Sequence, residues 1–140
     1  MIDLIIRPAQ PKEVEEAMHW QDGDNFRLFL EQSIPVDLGG RGHKEEWVAM
    51  SDEEVVAYAL LDIDSNHQAR LAFIVKPSRR REGIAKQFIP ELLKVLPLGT
   101  FSRIIGTPNM GDTAGKKVLI NAGFREIGYD ENGQLLFERR

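Results

Sequence analysis

The chain has 140 residues, a length that suits one domain spanning 1–140, and no cysteine, which excludes disulfides, thiolate metal ligands and a cysteine nucleophile. No apolar run reaches the roughly 18 residues of a membrane span, and the start, Met1-Ile-Asp-Leu-Ile-Ile-Arg7, lacks the basic region of a secretion signal, so the expected compartment is the cytoplasm. The net charge of −4 is uneven: residues 1–70 hold 15 acidic and 6 basic side chains, residues 71–140 hold 7 and 12.

Residues 4–7 read as a first strand, punctuated by Pro8 and Pro11. Val14, Ala17 and Met18 then recur at i, i+3 and i+4, predicting a helix over 11–20. After a break at 21–24, Phe26, Leu28, Phe29 and Leu30 suggest a second short helix, and the glycines at 39, 40 and 42 mark 33–44 as a loop. Residues 47–50 and 55–61 are expected to form a hairpin around the turn at 51–54. A strand over 69–75 follows, then an arginine-rich turn and a helix over 83–96, with Pro90 expected to kink or delay it. Residues 103–106 read as a buried strand, and 112–122 as a helix capped by Asp112 or Thr113 and stopped by Gly123. Two last strands, 124–129 and 135–138, flank the hairpin signal Asn132-Gly133. The order is βααβββαβαββ, an α/β arrangement.

The stretch from Arg70 to Ala85 carries the most chemistry. A β-rich run ends at Val75, and Arg79, Arg80 and Arg81 precede Gly83, Ala85 and a helix. A helix start offers unpaired N–H groups and positive potential, small residues let a ligand approach the backbone, and arginines add charge, so the segment is suited to an anion. The alternative is a solvated loop with a left-handed glycine. Basic residues gather at one turn rather than along a stripe, which argues against nucleic acid as partner. The three histidines (His19, His43, His67) lack metal-ligand spacing, so no metal is expected. Met110 and Lys117 break the pattern a phosphate-binding P-loop would need around Gly115-Lys116.

Arg80-x-x-Gly83-x-Ala85, after Val75-x-Pro77, resembles the coenzyme A pyrophosphate loop of the GNAT superfamily of N-acetyltransferases, Q/R-x-x-G-x-G/A. Residues 112–124, ending Gly123-Phe124, look like that family's second signature, N-x-x-A-x-x-x-Y-x-x-x-G-F. The resemblance covers essentially the whole chain. It implies a mixed, mainly antiparallel, splayed sheet flanked by helices, and transfer of an acetyl group from acetyl-CoA to a primary amine by direct attack.

The resemblance also implies roles for individual residues. The backbone of Arg81, Glu82, Gly83, Ile84 and Ala85 would hold the pyrophosphate, with charge from Arg80 and Lys86. Phe73, Ile74 and Val75 would pair with the pantetheine arm like an added strand. Asp112 stands at the family's Asn and serves either the pantetheine or only the helix cap; Asn109 is an alternative. Leu119 stands where many members have the tyrosine that protonates the leaving thiolate, and Ala69 is near the position of a strand glutamate found in others.

The catalytic residues are therefore unassigned. Glu45, Glu46, Asp62 and Asp64 are conceivable bases, and Tyr58 and Tyr129 conceivable acids. Trp20, Phe26, Phe29 and the loop at 39–42 fall in the region resembling the family's acceptor helices, where they either line a pocket or pack the core. The acidic first half suits a cationic amine, small or on a protein, and the family suggests a homodimer. A second reading is a catalytically weak acyl-CoA-binding sensor or interaction module, and a third a purely structural domain.

Overall fold

The structure is a computed structural model that describes residues 3–20, 43–63, 67–80, 82–96, 101–106, 113–129 and 135–139. In chain order these form β1 (Ile5–Pro8), α1 (Pro11–Met18), β2 (His43–Ser51), β3 (Glu54–Ile63), β4 (Gln68–Val75), a 3-10 turn at Pro77–Arg79, α2 (Ile84–Val95), β5 (Arg103–Gly106), α3 (Thr113–Asn121), β6 (Arg125–Tyr129) and β7 (Leu135–Arg139). The expected helix near 26–30, the glycines at 39–42 and the Asn132-Gly133 turn lie outside the described residues.

One seven-stranded sheet has the order β1-β2-β3-β4-β5-β7-β6. Only β4 and β5 are parallel; every other neighbouring pair is antiparallel. The sheet is thus mixed and mainly antiparallel, as the resemblance implied. The register between β4 and β5 ends with Leu71 opposite Gly106, while β4 continues to Val75. Among the described residues, 72–75 have no partner on the β5 side.

The β2–β3 hairpin turns on Asp52 and Glu53, both left-handed at φ 51° and 67°. Such a two-residue turn matches strand twist, but it normally uses Asn-Gly or Gly-Gly because side chains are disfavoured there. β2 starts at His43, inside the stretch expected to be loop. Lys44, Glu45 and Glu46 mask a strand that has cross-strand partners all along β3. Four residues into the hairpin the register slips: Met50 faces Val55 but Ala49 faces Ala57, so Val56 is an extra residue. Because side chains alternate, such a bulge moves every later residue of β3 to the face opposite the one a regular hairpin would give it.

The two faces bury separate clusters. On one, Ala57, Ala59, Leu61, Ala69 and Leu71 pack with Ile84, Phe88, Ile89 and Leu92 of α2 and with Val118, Leu119 and Ala122 of α3. On the other, Val48, Tyr58, Leu60, Ala72 and Ile74 meet Ala17 of α1 and Trp20. Trp20, one of the residues weighed for a pocket, is therefore core, only 6% exposed. α2 runs through Pro90 from Ile84 to Val95 without delay; burial of its apolar stripe offsets the missing hydrogen bond to the Lys86 carbonyl. At the end of α3, Gly123 takes φ 93° and the Phe124 N–H returns to the Leu119 carbonyl at 3.0 Å, closing the helix as its sequence predicts. No helix among the described residues is long and apolar enough to cross a membrane.

Candidate functional site

β4 presents a backbone edge where β5 stops. The Lys76 N–H donates to the Val56 carbonyl at 2.8 Å, which marks the phase of the hydrogen-bond ladder between β3 and β4. Antiparallel alternation then turns Ile74 toward Tyr58 and leaves the N–H and C=O groups of Phe73 and Val75 facing away from β3. The Val75 carbonyl accepts from Arg80 Nε at 3.4 Å, consistent with that direction. The side chains of Phe73 and Val75 pack against the core of the α2 face, so a ligand along this edge would be held by backbone.

β4 delivers the chain to the start of α2 through the 3-10 turn. Gly83 occupies the helix cap with φ 78°. A Cβ there would meet nothing within 4 Å, so the left-handed backbone rather than crowding calls for glycine. The first intrahelical bond runs from the Gln87 N–H to the Gly83 carbonyl at 3.2 Å, leaving the amides of Ile84, Ala85 and Lys86 without helical acceptors. No acidic residue occupies the first turn, and among the described residues no side chain caps it. Ile84 is buried, so it could contribute only its N–H; Ala85 is half-buried and Lys86 exposed. The arrangement can bind an anion through backbone N–H groups and the positive end of α2.

The arginines of the turn are not equivalent. Glu54, at the head of β3, accepts from Lys76 Nζ at 2.7 Å and from Arg79 at 3.0 Å. Arg79 also reaches both oxygens of Glu82, at 3.0 and 3.1 Å. The hydrogen bond from Lys76, with Arg79 beside it, holds the Glu54 carboxyl below the usual carboxylate range. Arg79 is therefore engaged in tying the turn to the β2–β3 hairpin. Arg80 is exposed and meets no carboxylate among the described residues. Arg81, Asn109 and Asp112 lie outside the described residues.

The positions of the two missing family groups are apolar core. Ala69 is fully buried opposite Ile63 and Ile104. Leu119 is fully buried where β5 ends: a Cβ on Gly106 would lie 2.7 Å from Leu119 Cδ2. Tyr129 is 72% exposed on the edge strand β6, far from β4 in the sheet order. Asp64 lies outside the described residues.

Glu46 and Tyr58, named separately from the sequence, are joined: the Tyr58 hydroxyl donates to Glu46 Oε2 at 2.5 Å. Burial first, and then this carboxylate, raise the Tyr58 hydroxyl well above its ordinary range. The pairing depends on the extra residue Val56, which brings Tyr58 to the face that carries Glu46. Among the described residues no three potential ligands gather as a metal site.

The family model of the acetyltransferase (GNAT) family matches residues 6–110. Solved structures share the fold at low identity. A domain from Methanocaldococcus jannaschii superposes with a TM-score of 0.74 at 12% identity, covering 99% of both chains. Aminoglycoside acetyltransferase AAC(6')-Ib, solved with coenzyme A, gives 0.72 at 13% identity over 98% of this chain and 94% of its own. Spermidine N-acetyltransferase from Vibrio cholerae, solved with CoA and spermine, gives 0.68 at 12% identity over 96% and 92%. No curated protein matches the chain.

Proposed function

The chain belongs to the acetyltransferase (GNAT) family, and from that premise we propose that it acts as one domain that transfers an acetyl group from acetyl-CoA to a primary amine by direct attack. The observation that carries this reading is the juxtaposition of an open β4 edge with the uncapped, Gly83-led start of α2. The spacing suits a ligand with an amide-bearing arm and an anionic end. Phe73 and Val75 would pair with the pantetheine arm as an added strand. The amides of residues 83–86, with Arg80 and Lys86 and with Arg81 from outside the described residues, would take the pyrophosphate.

Reaction in the ternary complex forms the C–N bond from the amine lone pair and breaks the C–S bond, releasing the thiol of CoA. The chain's part is to align the two reactants, a contribution of several kcal/mol, and to direct a strand N–H at the developing oxyanion. A cationic acceptor fits the acidic first half of the chain, and the spermine complex of a relative supports a small amine as the first class to try.

Calorimetric titration of acetyl-CoA into the protein tests the cofactor. Micromolar binding is expected, and Gly83→Glu, which sets a carboxylate at the anion seat, should abolish it; absence of binding by the wild type sinks the proposal. A second reading, an acyl-CoA-binding module with little turnover, is favoured by the buried apolar Ala69 and Leu119. Thiol release against an amine panel separates the two, because binding without release supports only the second.

A further inference from the structure

We infer that Leu119 is a specificity-determining residue that sets the length of the acyl group on the thioester, admitting acetyl and refusing longer chains. The inference rests on the proposed coenzyme A site and adds the residue that reads the acyl donor. The anion seat at Gly83 lies past the C-terminal end of β4. An arm that starts there and pairs with Val75 and then Phe73 runs against the direction of β4. The open stretch of strand, residues 72–75, covers about 13 Å. The thiol end of the arm is thereby delivered to the point where β4 and β5 part, at Leu71 and Gly106.

The slot along β4 closes as it reaches that point. Val75 and Phe73 are half-buried, whereas Ala72 is 6% exposed and Leu71 only 1%. The wall on the β5 side of the closed end is Gly106, backed by the fully buried Leu119. Not even one carbon fits between them, because a Cβ built on Gly106 falls 2.7 Å from Leu119 Cδ2. An acyl chain that grows from the thioester toward the divergence therefore meets filled core after its first carbons. A packed interior accepts an extra methylene only at the cost of shifted side chains.

Among the residues at this end of the slot, Leu119 is the one whose size sets the limit. Gly106 carries no side chain, so the space on the α2 side of the end of β5 is set by what faces it, first Leu119 and then Phe124. Leu71 is held in the ladder between Leu61 and Gly106. Leu119 enters from α3, a separate element, and its two methyl groups are the atoms nearest to the Cβ position of Gly106. Truncating it opens room at the end of the slot while every strand keeps its sequence.

The test is titration calorimetry of CoA, acetyl-CoA, propionyl-CoA and butyryl-CoA into wild type, Leu119→Ala, Leu119→Val and Val48→Ala, with thermal melting to check the fold. Each acyl-CoA affinity is read as a ratio to that of CoA for the same protein, which separates acyl recognition from cofactor binding. Wild type is expected to bind acetyl-CoA at least about tenfold more tightly than butyryl-CoA, the lower end of what a misfit of methylene size costs in an apolar pocket. Leu119→Ala should abolish that discrimination. Leu119→Val, one methylene smaller, should admit propionyl-CoA and still refuse butyryl-CoA, and it carries the test where the alanine variant does not fold. Val48→Ala truncates an equally buried side chain on the opposite face and should leave the ratios as in wild type. Wild type that binds CoA and all three acyl-CoAs equally overturns the inference. Discrimination unchanged in the Leu119 variants that fold, or relaxed as much by Val48→Ala, also overturns it. Failure to bind CoA at all removes the proposed function and the inference with it.

Discussion

Leu119 closes on Gly106 so tightly that no Cβ fits between them: one placed on Gly106 would stand 2.7 Å from Cδ2 and 3.3 Å from Cδ1 of Leu119, and 3.4 Å from Phe124. The end of β5 and the middle of α3 are thus in direct contact through a backbone that carries no side chain. Gly106→Ala is expected to destabilise the protein by about 1–3 kcal/mol, the cost of overpacking a filled core. Urea denaturation measures it. An unchanged midpoint would mean that Leu119 rotates away freely.

Arg79 and Arg80 are neighbours with different expected phenotypes. Arg80→Ala should weaken CoA binding about tenfold by calorimetry, the scale of losing a hydrogen bond to a charged group, and leave the melting temperature unchanged. Arg79→Ala should leave CoA affinity unchanged and lower the melting temperature only slightly, because its ion pairs are partly exposed. Equal CoA affinity for wild type and Arg80→Ala would remove Arg80 from the site.

The Glu54 carboxyl has a lowered folded-state pKa, caused first by the hydrogen bond from Lys76. A lowered folded value means that the pairing stabilises the protein above the unfolded glutamate pKa of about 4.3 and that this contribution disappears as pH falls through the folded value. The stability difference between wild type and Glu54→Gln should therefore be present near neutral pH, begin to shrink below about pH 5, and vanish below the folded pKa. Denaturant titrations across that range check it; a pH-independent difference would contradict the pairing.

Glu53 adopts a left-handed conformation without being glycine. Glu53→Gly is expected to raise stability by about 1 kcal/mol, since a side chain in this region costs roughly 1–2 kcal/mol and the greater freedom of unfolded glycine takes part of that back. A rise in melting temperature is the readout, with no change in CoA affinity.

The legible parts of the sequence were those where one residue type decides the backbone. Gly83 and Gly123 mark helix boundaries because their positive φ excludes most other residues, and the apolar run at 103–106 forms β5 at the bounds expected for it. Charges hid the start of β2, because Lys44 to Glu46 belong to a strand whose pairing, not its hydropathy, makes it one. The anion-binding segment could be read locally, since turn, glycine and helix are contiguous. The Glu46–Tyr58 contact could not, because it depends on register between strands and on a bulge with no residue signature. The division of labour between Arg79 and Arg80 was hidden for a similar reason: Glu54 is 25 residues away from Arg79 in sequence.

Val56 acts as a phase shift written into the hairpin. Removing that one residue would leave the composition almost untouched yet exchange inside for outside along the start of β3 until pairing with β4 broke. Tyr58 would then face α2, and Ala57 and Ala59 would face α1. Length in this hairpin is accordingly under tighter constraint than residue identity: a conservative substitution at position 56 preserves the parity of the sheet, and a single-residue deletion reverses it.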